Sequence, residues 1–466
     1  MRAPFDPDPT IDTCVQPRRR ALLKLLLGGA ASLSASSFLT RGLADATDGA
    51  EEFFIFIHAA GGWDVTLWSD PRNEKKGLIS PASTANTDTS GVRRWVDAPL
   101  EEGVRTFTPV RPSGSNLTFG PGIGDLAEHF DRLCIVNGLA MNTVSHPDGS
   151  AFSTTGRHLV GTRAPASSVD TALANEFGRA SLFPVLSASF PSFYVGEGLD
   201  RRVVPLIVGN IGVITRSLTR TQAFDTDDDR DLVTATLAAE AHDLAAKSYY
   251  PDALRGMELQ YEQLRKMLKG SLQDVFSGPR LKKAQPQFNY TGRFQAGGAL
   301  NAAFTVEALR RGLVRCMSFG VGGFDTHNAN YRTHALLQQE TFDLVATLLR
   351  ALDATPHPTK AGAKLSDHTH LLMVSEFCRT PQINRAGGRD HYPNNSALVI
   401  SPRFKGNMAF GQSDPEQLLP MATRAFPDGK RAMAPPDLLA TLLHSVGVEP
   451  RKYLRDGSVV PELLRA

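Results

Sequence analysis

Residues 316–327, CMSFGVGGFDTH, contain the most informative pattern of this chain. An apolar run of the length of a buried strand ends at Gly322-Gly323, and Asp325 and His327 follow at once. The two glycines allow the backbone to turn sharply away from a strand, and an aspartate and a histidine two residues apart can face one point. Ligands of parallel sheets bind just beyond the carboxyl ends of the strands. The stretch therefore predicts a strand that ends at a functional site.

Two further apolar runs share this pattern. FFIFI at 53–57 leads through HAAGGW to Asp64, and LLMVS at 371–375 ends at Glu376. The pair Asp390-His391 follows a glycine-rich loop. Because parallel strands buried on both faces are continuously apolar, these runs indicate a largely parallel sheet. We expect their acidic and imidazole side chains to meet at one edge of that sheet.

The remaining periodicity predicts an α/β fold, a mostly parallel sheet flanked by helices. Strands are expected at 53–57, 133–136, 203–208, 316–321, 371–374 and 397–400. Apolar residues at helical spacing predict helices at 297–312 and 332–353, and Pro435 begins a short helix near the C-terminus. Strands that alternate with helices in this way are typical of a parallel sheet.

Two segments differ from this alternation. Residues 226–277 have the apolar spacing of two or three helices, which we interpret as a helical insertion in the sheet topology. Residues 67–120 are rich in Pro, Ser, Thr, Asn and Gly and are expected to form long loops. We expect a single α/β domain over residues 47–466.

The N-terminus has the features of an export signal. Arg19-Arg20 begin a twin-arginine motif, an apolar stretch follows at 22–33, and Ala44-Asp45-Ala46 supply an A-x-A cleavage site. That stretch is too short and too interrupted by glycine to span a bilayer comfortably. An ordinary basic amphipathic helix is the alternative. We expect residues 1–46 to be a signal peptide for the twin-arginine export machinery, which places the mature protein in the periplasm or otherwise outside the cytoplasm.

Charge and composition limit the classes of partner and cofactor. The chain has a formal net charge of +2, and residues 1–46 hold six basic and four acidic side chains, so the mature protein is close to neutral. No basic face remains for nucleic acid or an anionic membrane. No later apolar run has the roughly 18 residues of a transmembrane segment. The motifs of haem, iron–sulfur and dinucleotide sites are absent, which disfavours a redox protein.

Six acidic and imidazole side chains are candidate metal ligands: Asp64, Asp325, His327, Glu376, Asp390 and His391. Oxygen and imidazole ligands that converge from distant segments suit a divalent cation. A carboxylate at the end of a buried strand is costly to desolvate unless it is paired or binds a metal. Other interpretations remain open, because Glu376 could pair with Arg379, Asp390-His391 could form a surface turn and Asp64 a simple turn.

A segment rich in serine and histidine supplies candidate catalytic groups. Ser145, or a neighbouring hydroxyl, is a candidate nucleophile, and His146 either assists it or binds the metal. Arg157 and Arg379 are candidates for substrate binding, because a guanidinium binds anionic oxygens in a bidentate way. An ordinary loop rich in serine and histidine is the alternative interpretation of this segment.

Four motifs in a fixed order resemble one bacterial family. HAAGGWD at 58–64, GGFDTH at 322–327, VSEFCRTPQIN at 374–384 and GGRDHYP at 387–393 stand behind a twin-arginine signal. Over nearly its whole mature length the chain is similar to the domain of unknown function 1501 family. That family looks like a remote branch of the alkaline phosphatase and sulfatase superfamily. The resemblance implies an α/β core with one or two metal ions and a Ser, Thr or modified Cys nucleophile.

The resemblance also implies roles for individual residues. The implied metal ligands are Asp64, Asp325, His327, and His391 with Asp390. Glu376 falls where the superfamily often has an Asp-His pair, and Phe377 supplies no imidazole there. The segment 145–156 resembles the nucleophile loop, with His146 roughly where sulfatases have their cysteine.

These features lead to one expected function and one alternative. The expected function is that of an exported metal-dependent hydrolase that acts on small anionic substrates, the esters of phosphate or sulfate. Its cofactor would be a divalent metal, with Zn, Ca, Mg and Mn as the options. The alternative is a non-catalytic periplasmic binding or assembly protein whose site is degenerate or holds a structural metal.

Overall fold

The computed structural model describes residues 52–72, 105–106, 108–179, 181–196, 198–209, 211–212, 227–247, 278–288, 296–328, 330–426 and 429–465. Of these, residues 211–212, 227–247 and 278–284 fall in one compact unit, and the others fall in a second unit that contains the sheet. The predicted export signal lies outside the described residues. No helix within the described ranges combines the length and the apolar character needed to cross a membrane.

Ten strands lie in the second unit: β1 (Phe53–Ala60), β2 (Leu133–Ala140), β3 (Phe183–Ala188), β4 (Leu206–Val208), β5 (Val314–Gly322), β6 (Thr369–Val374), β7 (Cys378–Arg379), β8 (His391–Tyr392), β9 (Asn394–Ile400) and β10 (Met408–Phe410). Eight of them form one sheet in the order β10-β2-β9-β6-β1-β5-β3-β4, and β7 pairs with β8. The pairings along the centre are parallel, whereas β9 runs antiparallel to β2 and β6. The predicted mostly parallel α/β sheet is confirmed.

Seven helices accompany the strands in the described ranges: α1 (His146–Thr155), α2 (Val169–Phe177), α3 (Asp227–Lys247), α4 (Gly278–Ala284), α5 (Ala296–Arg310), α6 (Asn330–Ala354) and α7 (Pro435–Ser445). The helices predicted at 297–312, at 332–353 and after Pro435 correspond to α5, α6 and α7. Within the predicted helical insertion, α3 is described, and residues 248–277 lie outside the described part of the chain. Most of the predicted loop segment 67–120 also lies outside it.

The strand register brings the candidate residues to one edge. Strand β1 is buried along its length apart from its last residue, as expected for a strand with neighbours on both sides. His58 of β1 lies opposite Val374 of β6, and Ala60 lies opposite Gly322 of β5. The three central strands therefore end together, and the loops that leave them start side by side.

The structure differs from the predicted elements at several places, and the short strands β7, β8 and β10 are among those not predicted. The strand expected at 203–208 is shortened to β4, because the Asp200 carboxylate accepts the N–H of Arg202 and begins a 3₁₀ turn at Arg201–Val203. Strand β3 was not predicted, since Pro184 disfavours a central strand. Residues 146–155 were expected as a loop and instead form α1.

Helix α1 escapes a pattern-based prediction because it has almost no apolar stripe. Pro147 occupies its first turn, where a missing N–H costs nothing. The hydroxyls of Thr154 and Thr155 donate to the carbonyls of Ser150 and Ala151, one turn earlier. The helix thereby buries polar side chains that would otherwise indicate an exposed loop.

Candidate metal centre

Asp325, His327 and His391 meet at the edge where the central strands end. Asp325 Oδ1 lies 3.0 Å from His327 Nε2 and 3.1 Å from His391 Nε2. The two imidazole nitrogens are 3.1 Å apart. Three atoms of metal-ligand type thus form a nearly equilateral triangle, which we call the ligand triangle. His146 lies beside the triangle in the first turn of α1, with its Nε2 3.6 Å from Asp325 Oδ2. His146, Asp325 and His391 also have ligand atoms that lie within 4.8 Å of one another.

Each of the three histidines is oriented by a hydrogen-bond acceptor at Nδ1. His327 Nδ1 lies 2.7 Å from Asp390 Oδ1, and His391 Nδ1 lies 2.9 Å from the carbonyl oxygen of Val144. His146 Nδ1 lies 2.7 Å from a carboxylate oxygen, Oε1 of Glu376. A carbonyl or carboxylate oxygen accepts, so Nδ1 carries the proton and Nε2 carries a lone pair. All three lone pairs are therefore on the side of Asp325.

The ligand triangle fits a divalent cation. Two imidazole lone pairs and a carboxylate oxygen about 3 Å apart repel one another unless a proton or a cation lies between them. Ligand atoms of a tetrahedral zinc site, bonded at 2.0–2.2 Å, are separated by roughly 3.3 Å. Metal-binding histidines also donate their second N–H to a carboxylate or a backbone carbonyl, as His327 and His391 do here.

Glu376 lies behind His146 and is almost completely buried. Its carboxylate accepts the N–H of Gly61 at 2.7 Å and the hydroxyl of Ser375 at 3.1 Å, and His58 Nε2 lies 3.4 Å away. Burial raises the pKa of Glu376, but the hydrogen bond from His146 and the other donors outweigh it and lower the pKa to about 2. In turn, the hydrogen bond to Glu376 raises the pKa of His146, although burial partly offsets it.

Arg379 is fully buried and is the cation nearest to Asp325. Its guanidinium donates to Asp325 Oδ1 at 2.7 Å, to the carbonyl of Gly62 at 2.7 Å and to that of Arg389 at 3.0 Å. Burial raises the pKa of Asp325, but the hydrogen bond from Arg379 and the charges around it lower the pKa to about 2. Arg379 therefore supports Asp325 and the glycine turn after β1, and the ion pair with Glu376 considered from the sequence is not formed.

Asp64 occupies a separate buried network. Its Oδ1 accepts from the N–H and hydroxyl of Thr66 at 3.0 and 2.7 Å, and its Oδ2 accepts from Asn330 at 2.7 Å. The N–H of Asp64 donates to His334 Nε2 at 2.7 Å, while Thr326 Oγ1 lies 2.8 Å from His334 Nδ1. Asp64 is not among the residues whose ligand atoms converge. Its contacts join the loop after β1 to helix α6.

The remaining candidates lie beside the site or away from it. Ser145 is exposed and immediately precedes α1, and its side chain does not cap the helix. Asp390 is also exposed and holds His327. Arg157 donates to the carbonyl of Pro165 at 3.4 Å, and no contact within the described ranges joins it to the ligand triangle. Cys378 is buried, which raises the pKa of its thiol far above the usual value and disfavours a nucleophilic role.

Three residues that were not candidates in the sequence contact the candidate groups. Phe377 packs against two of the histidines, with ring centroids 4.9 Å from His146 and 4.5 Å from His391. His58 had a detectable signal, since it interrupts an apolar strand at the level of Glu376. His334 gave none, because a single histidine in a helix is usually a packing residue.

The family of the chain follows from a comparison with family profiles. The profile of the family DUF1501, described as a protein of unknown function, matches residues 52–458. The chain belongs to the DUF1501 family. This membership confirms the resemblance carried by the four sequence motifs. A comparison of this DUF1501 protein with curated proteins finds no match.

The DUF1501 protein is also similar to several solved structures. A phosphonate monoester hydrolase of Agrobacterium radiobacter is 11% identical, with a TM-score of 0.32 over 88% of this chain and 77% of that one. A TAB5 alkaline phosphatase mutant with Mg in its M3 site is 9% identical, with a TM-score of 0.28 over 76% and 92%. BT4656, in complex with its substrate D-glucosamine-2-N,6-O-disulfate, is 10% identical, with a TM-score of 0.33 over 89% and 80%.

Proposed function

We propose that the protein is an exported, divalent-metal-dependent hydrolase of phosphate or sulfate esters. The observation that carries the proposal is the ligand triangle of Asp325, His327 and His391, whose imidazoles are oriented from behind by Asp390 and a backbone carbonyl. Such oriented, convergent ligands are typical of metal centres. The proposed export rests on the twin-arginine pattern at the N-terminus.

The donor atoms favour zinc among the divalent metals considered. Asp325, His327 and His391 would hold the ion with one oxygen and two nitrogens, a set that suits zinc better than magnesium or calcium. Asp390 and Glu376, both expected from the sequence to be ligands, would instead fix the rings of His327 and His146. When bound, such an ion polarises an ester oxygen and lowers the pKa of a neighbouring nucleophile.

The surrounding residues would bind the ester and move a proton. Ser145, or a water molecule in its place, would attack the phosphorus or sulfur atom of the ester, and the bond to the alcohol oxygen would break. His146 Nε2 would accept the proton of the nucleophile and return it to the departing alcohol, because its Nδ1 is occupied by Glu376. If Ser145 attacks, a water molecule would then hydrolyse the ester formed on the serine. The amino-terminal end of α1 favours a negatively charged group beside it. Buried Arg379 would keep Asp325 ionised and in place, which is a positioning role and replaces the substrate clamp expected from the sequence.

The first test is metal content together with hydrolysis of 4-nitrophenyl phosphate and 4-nitrophenyl sulfate. We expect the purified protein to bind about one equivalent of zinc and to hydrolyse at least one of the two esters. His327→Ala and His391→Ala should lose both properties. His444→Ala, which removes an exposed histidine of α7, should retain both. Metal that stays bound in both triangle variants would contradict the assignment.

One observation favours the non-catalytic alternative, a periplasmic binding or assembly protein. The guanidinium of Arg379 already donates to Asp325 at 2.7 Å, and this positive charge opposes a cation at the same carboxylate. A folded protein that binds no zinc, even after reconstitution, and hydrolyses neither ester would support this alternative over the hydrolase.

A further inference from the structure

A cavity of about 390 Å³ lies next to the ligand triangle. Asp390 connects the two, because it lines the cavity and also accepts the hydrogen bond from His327 Nδ1. One imidazole ring therefore separates the cavity wall from the ligand triangle. Cavities of roughly 300–1,000 Å³ are of the size that accommodates small organic ligands. An alcohol group that extends from an ester at the metal centre past the ring of His327 would reach this space.

The wall of the cavity is polar and acidic. Its lining residues are Thr380, Pro381, Gln382, Ile383, Asn384, Asp390, Tyr392, Glu416 and Gln417. Two carboxylates stand among these described lining residues, and none of them is a lysine or an arginine. A third carboxylate, Asp414, accepts the N–H groups of Glu416 and Gln417 at 2.8 and 2.6 Å. The described lining residues therefore include two side chains with a formal negative charge and none with a formal positive charge.

Parts of this wall are fixed in position. The hydroxyl of Tyr392 donates to the carbonyl of Gln417 at 2.7 Å, which joins strand β8 to the segment that carries Glu416. The amide of Asn384 donates to Asp390 Oδ1 at 3.2 Å and to the carbonyl of His327 at 3.0 Å. An aromatic ring, amides and carboxylates together offer stacking, hydrogen bonds and ion pairing to a cationic polar group.

We infer that this cavity binds the alcohol portion of the ester substrate and selects alcohols that carry an amine over those that carry an acid. The inference rests on the proposed function, because that function supplies the ester. An ammonium group is attracted by the acidic wall, whereas a carboxylate is repelled. The substrate class is thus a phosphate or sulfate ester of an amine-bearing alcohol.

Three matched esters test the charge preference. They are the phosphates of 4-(aminomethyl)phenol, 4-(hydroxymethyl)phenol and 4-(carboxymethyl)phenol, replaced by the sulfates if only sulfate is hydrolysed. We expect kcat/KM for the amine to exceed that for the acid at least about ten-fold, with the neutral ester between them. Equal values, or a preference for the acid, would overturn the inference and leave the hydrolase assignment intact.

Variants locate the preference in the cavity. Glu416→Gln keeps the size of the side chain and should reduce the amine-to-acid ratio at least about three-fold. Glu462→Gln makes the same change of net charge outside the cavity lining and should leave the ratio as it is. A ratio that changes equally in both variants would assign the preference to the overall charge and contradict the inference.

Binding without turnover separates the two proposals. Isothermal titration calorimetry with 4-hydroxybenzylamine and 4-hydroxyphenylacetate measures the cavity directly, with Glu416→Gln as the variant. If the amine binds more tightly than the acid and Glu416→Gln weakens that binding, the cavity assignment is supported. If no ester is hydrolysed in the same protein, the cavity assignment stands and the hydrolase assignment is contradicted. Equal binding of amine and acid would overturn the cavity assignment.

Discussion

At the scale of single residues, the site is built from histidines that are each fixed by a hydrogen-bond acceptor. Asp390, Glu376 and the carbonyl of Val144 each bind the Nδ1 of one ring. Asp390 and Glu376, which were candidate ligands in the sequence, therefore contact the histidines on the side away from Asp325. Spacing along a chain shows that an acid and an imidazole are near each other, but it does not show which one faces the metal.

The role of Asp390 can be separated from that of a ligand. Asp390→Asn preserves the shape of the side chain but removes the negative charge that supports His327. We expect zinc affinity, measured by competition with a chelator, to fall about 10–100-fold, with the protein still folded. Asp456→Asn, an exposed aspartate near the C-terminus, is the matched control. Complete loss of zinc from a folded Asp390→Asn protein would indicate direct ligation instead.

The pair of Glu376 and His146 predicts a pH effect. The raised pKa of His146 depends first on its hydrogen bond to Glu376, so Glu376→Gln should lower that pKa. If His146 accepts a proton, activity rises as His146 loses its own proton, and the acid limb of the pH–rate profile should move to lower pH. The maximal rate should fall about 100-fold, because a weaker base remains. An unmoved acid limb would exclude His146 as the base.

At the scale of elements, the carboxyl ends of β1, β5 and β6 determine where the site forms. The three apolar runs and their trailing acids could be read from the sequence, because burial on both faces requires continuous apolar residues. Helix α1 could not be predicted from the sequence, because its polar side chains find their hydrogen-bond partners only in the folded protein. His146 was a candidate from the sequence, but its position at the start of a helix beside β8 was not predicted.

The turn after β1 tolerates only glycine at Gly61. Its φ is +117°, and a Cβ there would lie 2.3 Å from the backbone N of Asp325. We expect Gly61→Ala to lower the free energy of unfolding by about 1–3 kcal/mol or more and to reduce zinc binding, because Asp325 must move. Gly209→Ala, where a Cβ meets nothing within 4 Å, is the control. Denaturant unfolding measures the stability of both variants. Equal free energies of unfolding for Gly61→Ala and Gly209→Ala would contradict the prediction.

At the scale of the whole molecule, buried neutral histidine makes stability depend on pH. Burial lowers the pKa of His334 to about 3, below its ordinary value of 6.5. The unfolded chain therefore binds the proton more readily than the folded protein. The contribution of neutral His334 to the free energy of unfolding is thus fully present above pH 6.5 and is lost as pH falls towards 3. Between pH 7 and pH 5 it should cost about 2 kcal/mol of stability.

His334→Gln isolates that contribution. His58, whose pKa burial also lowers, acts in the same direction, whereas Asp343, whose pKa burial raises to about 6, acts in the opposite one. Both are retained in the variant, so the difference between the two proteins belongs to His334. Denaturant unfolding at pH 7 and pH 5 should show a smaller loss of stability in His334→Gln. Equal losses in the two proteins would contradict the assignment.

A crystal structure of the mature protein with zinc, recorded at the zinc absorption edge, would show directly whether the ligand triangle binds the metal. We expect one anomalous peak bonded at about 2.0–2.2 Å to Asp325 Oδ1, His327 Nε2 and His391 Nε2, with Asp390 and Glu376 bonded to the histidine rings and not to the metal. A peak ligated by Asp64 or Glu376, or no peak at a concentration that saturates zinc binding in solution, would contradict that expectation.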